Sequence, residues 1–270
     1  PAGGRAAAEL LDHGQLSKKD LRELQQLREL GVPKALAKDL LRGESLAQRV
    51  VVHAVLADEA QSVLTPLLGQ CAAVQDARWR PLVTARVHRA LGWMWMRHKS
   101  QERRRVLINA ITHFEQATAL WPMADPEGFL DISGEFANAL WEFEPTNAKE
   151  RTDYADRARS VIRTALAHPQ ADKFPSEQAM LYRLLGLVEQ HEERYLHTRD
   201  IQRFRRVIGN HEKALTLCPV TDIDHRFQIL VTLANARRDY FGFLEGNQEQ
   251  QDLLNSAIDT YREALTLGPQ

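Results

Sequence analysis

YREALTLGP occupies residues 261–269, and three earlier segments end in the same way: FEQATALWP (114–122), VIRTALAHP (161–169) and HEKALTLCP (211–219). Their prolines, Pro122, Pro169, Pro219 and Pro269, follow one another at 47, 50 and 50 residues. Upstream of each ending stands a second shared word, a large apolar residue followed by a small one: Leu91-Gly92, Phe136-Ala137, Leu185-Gly186 and Leu233-Ala234, spaced 45, 49 and 48. Two independent markers keeping one period of about 48 residues identify a repeat array.

Within each unit the periodicity is helical. Val83, Val87, Leu91 and Trp95, and again Leu254, Ile258, Tyr261 and Leu265, recur at the three- and four-residue steps that make one apolar face. Strand-like alternation is not sustained anywhere. Pro81, Pro126, Pro145, Pro175, Gly246 and the four repeat prolines interrupt the pattern, because proline lacks an N–H and its ring clashes with the preceding turn. Each unit is therefore expected to be a helical hairpin. First helices are placed near 80–97, 127–143, 176–194 and 225–243, and second helices near 102–119, 148–167, 199–217 and 248–267. Gly92, Ala137, Gly186 and Ala234 are read as crossing contacts, since paired helices close to about 8–10 Å only where a side chain is minimal. The second helices carry Ala110/Ala117, Ala158/Ala165 and Ala257/Ala264, with Phe114, Ile162 and Tyr261 between them. The third repeat has Val207 and His211 at the equivalent places, which predicts its packing as the least regular.

The fold class read from these signals is all-α, with four repeats at 78–124, 125–174, 175–222 and 223–270. Residues 1–77 lack the shared words and are read as an N-terminal helical cap region. Helical stretches are expected from Ser17 to Leu30 before Gly31, from Pro33 to Arg42 before Gly43, and from Leu46 to Val74 with Ser45 as N-cap. The apolar stretch 46–57 is expected to cover the first repeat. With no solvating helix after the fourth repeat, the chain reads as a piece of something longer.

Composition narrows the function without naming it. Across 270 residues, Lys+Arg 35 against Asp+Glu 36 leave a net charge of -1, so no global field favours nucleic acid or an anionic membrane. Apolar residues at 44% and charged residues at 26% suit a folded globular chain. Two distant cysteines, Cys71 and Cys218, exclude a disulfide-rich scaffold or zinc ribbon and make a reducing compartment the expectation. No apolar run approaches the roughly 20 residues that span a bilayer, and PAGGRAAAELLDHG lacks the apolar core of a signal peptide. The expected location is cytoplasmic, with no membrane partner.

Paired helices with a Leu-Gly or Leu-Ala word in the first, Ala-x6-Ala in the second and a closing A-L-x-L-x-P resemble tetratricopeptide repeats over roughly 78–270. The stretch from Gly92 to Ala110, or from Ala234 to Ala257, is longer than in the standard unit of about 34 residues. In this respect the fourth repeat is similar to long repeats associated with CHAT caspase-like proteases and some signalling ATPases. The resemblance implies a right-handed superhelical solenoid of antiparallel helix pairs whose first helices line a concave, peptide-binding groove.

Projected onto this chain, that geometry gives the groove residues Arg86, Arg89, Trp93, Met96 and Arg97, then Asn138 and Trp141, then Arg183, Leu187 and His191, then Asn235 and Arg238. Asn138 and Asn235 stand at the same place in FANA and LANA, where a carboxamide offers both donor and acceptor to a peptide backbone. The arginines would pair with carboxylates. The expected partner is a protein or peptide, with preference for an acidic or polar segment.

No glycine-rich phosphate loop, catalytic constellation or cofactor motif is present. In HEERYLH, His197 follows His191 by six residues instead of the four that would place two metal ligands on one helical face. No catalytic residue, metal or cofactor is therefore expected. Basic runs at Arg97-His98-Lys99 with Arg103-Arg104-Arg105, and at Arg194 through Arg199 with Arg203, Arg205 and Arg206, flank inter-helix loops. They support a nucleic-acid alternative that the neutral global charge and sparse aromatics disfavour. The leading expectation is a non-enzymatic scaffold, a sensor or adaptor part of a larger regulatory system. Its rivals are an array controlling a linked or partner CHAT-type protease or ATPase, and a homo-oligomer assembled through the uncapped fourth repeat.

Overall fold

The computed structural model describes residues 18–50, 56–73, 79–98, 102–196, 200–244 and 248–268. Among them lie eleven α-helices and no strand. The chain divides into two compact units, Pro1–Pro122 and Met123–Gln270.

The first unit holds α1 (Lys18–Glu29), α2 (Lys34–Arg49), α3 (Leu56–Ala73), α4 (Arg80–Arg97) and α5 (Arg103–Leu120). Helix α1 stops at Gly31, whose φ of 90° is open to glycine at no steric cost. The Gly31 N–H donates to the Arg28 carbonyl and the Val32 N–H to the Leu27 carbonyl, while Val32 and Leu27 are both buried. Helix α4 pairs with α5, and Gly92 is where they meet: a methyl group added there would stand 2.6 Å from the Phe114 ring.

Helices α2 and α3 repeat this construction. Gly43 faces the Leu64 side chain as Gly92 faces Phe114, and α4 packs on both α2 and α3. Ala60, Leu64 and Leu67 are buried at the places that Ala110, Phe114 and Ala117 hold in α5. The stop expected at Gly43 and the N-cap expected at Ser45 are thus corrected, because α2 runs through both. Glycine costs a helix interior about 1 kcal/mol, and here it is the close approach to Leu64 that uses the missing side chain. Of the expected covering helix 46–57, residues 46–49 end α2, 56–57 begin α3, and 51–55 lie outside the described residues.

The second unit holds α6 (Pro126–Glu142), α7 (Ala148–Leu166), a short 3-10 turn (Ala171–Lys173), α8 (Pro175–Leu196), α9 (Ile201–Leu217), α10 (Ile223–Phe241) and α11 (Gln248–Leu267). They pair as α6 with α7, α8 with α9 and α10 with α11; α8 packs on both α6 and α7, and α10 on both α8 and α9. Four starts carry side-chain caps that accept an otherwise orphaned backbone N–H: Asp125 from Gly128, Asn147 from Glu150, Asp200 from Gln202 and Arg203, and Asp222 from His225. The irregular packing expected of the third repeat does not arise. Val207 and His211 are both fully buried, and the His211 ring stands against Gly186 as the Phe114 ring stands against Gly92. Cys71 and Cys218, one in each unit, are free and buried, and burial pushes both thiols above their ordinary range.

Candidate functional site

The expected residues of the first unit are held by their own neighbours. Arg86 on α4 donates to Glu44 of α2 at 2.6 and 2.8 Å and to Glu23 of α1 at 2.7 Å. Burial works against the guanidinium charge, yet the Glu44 and Glu23 carboxylates hold its pKa well above the ordinary arginine value. Arg86 thus ties three helices together instead of waiting for an outside carboxylate. Trp93 is 7% exposed and belongs to the core. The Arg89 guanidinium lies 4.2 Å from its ring centroid and that of Arg97 5.8 Å, so the indole face is occupied from one turn on either side. Arg97 also donates to the Gln48 carbonyl at 3.4 Å, and the half-buried Met96 gives its own carbonyl to Arg103.

In the second unit, the two asparagines at one repeat position have separate partners. Asn138 donates to Glu142 on its own helix at 3.1 Å, whereas Asn235 accepts from the Tyr261 hydroxyl of α11 at 2.6 Å. The oxygen expected to meet a peptide backbone from Asn235 is therefore used within its hairpin. Arg238 pairs with Asp239 at 3.1 Å.

Helix α8 behaves differently. One side, at Gly186, rests on His211 of α9; a second, at Gln190, donates to Asp239 of α10 at 2.8 Å; a third, at Met180 and Leu181, meets Gly134 of α6. At about 100° per residue, Arg183 lies about 60° round the helix from Gly186, Leu187 about 100°, Met180 about 120° and His191 about 140°. These four fall within about 80° of one another, between the Gln190 contact with α10 and the Leu181 contact with α6, and all are half-buried. Arg183 has no carboxylate partner among the described residues. Its Nη1 touches only the Met180 sulfur at 3.8 Å, and its Nε is out of solvent with no acceptor. Burial alone pushes its pKa down.

His191 and Trp141, from successive repeats, line one narrow, partly open cleft. Leu140, Phe143, Pro145, Tyr154 and Val188 complete its apolar wall, and Arg151 stands at its edge. Phe143 stacks on Tyr154 with ring centroids 4.0 Å apart, which fixes the wall. The Trp141 indole N–H is buried and lacks an acceptor. A second, roomier cleft, of about 110 Å³, opens near the starts of α6, α8 and α10 and is lined by Leu130, Asp131, Glu135, Glu177, Met180 and His225. Burial, then the Glu127 and Asp131 charges, raise the Glu177 pKa, while His225 opposes them. This end is acidic, whereas the charged residues of the expected groove are arginines.

Phe143, Tyr154, Asp131, Glu135 and Glu177 were not among the expected groove residues. Tyr154 lies on a second helix, and the projected wall contained first helices only. A pairing signal was nevertheless present, in an aromatic just after α6 and another in the second turn of α7. The described members of the basic runs are partly neutralised. Arg105 pairs with Glu102, Arg205 with Glu249 and Arg206 with Asp200. Lys99, His197 and Arg199 lie outside the described residues. On α11, Ile258 and Leu265 are exposed at 39% and 77%, on the helix expected to meet a second copy. No helix among the described residues is long and apolar enough to cross a membrane.

Neither a known family model nor a curated protein sequence matches this chain.

Proposed function

We propose that the chain is a non-enzymatic scaffold of the tetratricopeptide-like kind, which binds an extended peptide along the first helices of its second unit. The observation that carries this reading is the cleft shared by Trp141 and His191. Both were projected as recognition residues from different repeats, and they converge on one apolar recess with a buried indole N–H that has no acceptor. Apolar recesses with a few unsatisfied polar atoms are the usual form of an anchoring pocket, and tryptophan is among the commonest hot-spot residues. A right-handed superhelix and a regulatory or adaptor role belong to this reading. Two free, buried thiols suit the reducing cytoplasm. The carboxylates held by Arg105, Arg205 and Arg206 leave the nucleic-acid alternative with less charge to offer phosphates.

The test is selection of a displayed random-peptide library on the purified chain. Peptides of shared pattern are expected to emerge, and Trp141→Ala is expected to weaken their binding by roughly tenfold or more. Failure to enrich any peptide, or unchanged affinity in a folded Trp141→Ala variant, contradicts the proposal.

A further inference from the structure

Arg183 is an arginine whose surroundings do not account for its charge. Buried or half-buried charges in folded proteins are normally paired, because leaving them unpaired costs much of their lost hydration. Arg86 follows that rule with two carboxylates, but Arg183 has a thioether for a neighbour and a shielded Nε without an acceptor. Nearby, the fully buried His211 has an Nε2 that also lacks a partner, and among the described residues no carboxylate pairs with Arg183. Arg183 leaves α8 between Gln190, which meets α10, and Met180, which meets α6, and it is half-buried there. A planar fork of donors in that position matches a carboxylate brought from outside.

The same helix carries a second contact. His191 is eight residues beyond Arg183, which is about 12 Å along the axis at about 1.5 Å per residue. It marks the cleft walled by Trp141, Phe143 and Tyr154. An extended peptide advances about 3.3 Å per residue, so the two points are three or four peptide residues apart.

Resting on the peptide-binding reading above, we infer that α8 reads a two-point pattern in its partner: an acidic side chain on Arg183, and a bulky apolar side chain three or four positions away in the Trp141–His191 cleft. Specificity then comes from two different chemistries held at a fixed spacing on one rigid helix.

The experiment selects a random-peptide library, displayed with its C-termini blocked so that only side-chain carboxylates are offered, on the wild-type chain and on Arg183→Gln. The wild type is expected to enrich Asp or Glu three or four positions from an aromatic or large aliphatic residue. Arg183→Gln is expected to keep the apolar preference and lose the acidic one. Replacing the acid of a selected peptide by its amide is expected to cost roughly tenfold or more in affinity for the wild type and less than about twofold for the variant. Enrichment without an acidic preference, or an acidic preference that survives in Arg183→Gln, overturns the inference while leaving peptide binding intact. If no peptide is enriched, the broader reading fails, and the carboxylate subsite is judged by titrating N-acetylglutamate against the Arg183 Nε–H nuclear magnetic resonance signal. A saturable shift at millimolar concentrations, absent when Arg183 is replaced, supports the subsite; an unmoved signal overturns it.

Discussion

Replacing Gly92 by alanine tests the repeat geometry at its tightest point. The added methyl would lie 2.6, 2.7 and 2.8 Å from three carbons of the Phe114 ring, against an ordinary carbon–carbon contact of about 3.5–4.0 Å. The ring must retreat by roughly 0.8–1 Å, and it is fully buried, in an interior that is close-packed in folded proteins. Overpacking of this kind costs about 1–3 kcal/mol, and the gain in helix propensity from glycine to alanine returns about 1 kcal/mol. Because a rigid aromatic is met by three atoms at once, the upper part of that range applies, and the net loss is about 1–2 kcal/mol. Gly69, on α3 of the same unit, has nothing within 4 Å, so Gly69→Ala is expected to stabilise by about 0.5–1 kcal/mol. Four tryptophans, Trp79, Trp93, Trp95 and Trp121, report on this unit, which makes urea unfolding followed by fluorescence the appropriate assay. Adding Phe114→Leu to Gly92→Ala makes room at the crossing, and a double-mutant cycle is expected to show a favourable coupling of about 1 kcal/mol. A Gly92→Ala protein as stable as Gly69→Ala, or a cycle without coupling, would refute the reasoning.

Arg86→Ala removes the cation that bridges Glu44 and Glu23, and a loss of about 3 kcal/mol is expected in the same urea assay; a loss under about 0.5 kcal/mol contradicts the tie between α1, α2 and α4. Burial, followed by the charge of Arg183, lowers the pKa of His211 from 6.5 to about 3. A base depressed in this way contributes stability that is fully present above its unfolded value and is lost as pH falls through the window toward the folded one. At pH 5 that contribution has fallen by about 2 kcal/mol. His211→Ile, which installs the residue found at the matching place in α7, is therefore expected to lose about 2 kcal/mol less than wild type between pH 7 and pH 5; parallel stability curves contradict this. The raised carboxyls of Glu177 and Glu189 act with the opposite sign, but both proteins share them and they cancel in the comparison. Asp200→Ala removes the acceptor for two backbone N–H groups of α9 and is expected to cost about 1 kcal/mol of thermal or urea stability.

The hairpins were legible because their markers are mechanical. A small residue at a helix crossing and a closing proline leave the same trace in every repeat, and Gly92 against Phe114 and Gly186 against His211 stand where that trace points. The α2–α3 hairpin lacks that trace. Gly43 is preceded by Arg42 instead of a large apolar residue, and α3 ends without the closing proline word, although Gly43 and Leu64 meet in the same way. The recognition surface was legible only in part. Helical spacing placed Trp141, Arg183, Leu187 and His191 on or beside one face. It carried no information on which arginines would meet an acid of their own chain, since Glu23 and Glu44 are distant in sequence from Arg86. Likewise nothing local to Asn235 announces Tyr261, which lies on the following helix.

The most direct test of peptide recognition is amide hydrogen exchange on the full chain, with and without a saturating peptide obtained from the wild-type selection. Slowed exchange is expected in α6 and α8, around Trp141, Arg183 and His191, with α1 to α5 unchanged. Protection confined to α1 to α5, or none in α8, contradicts the account.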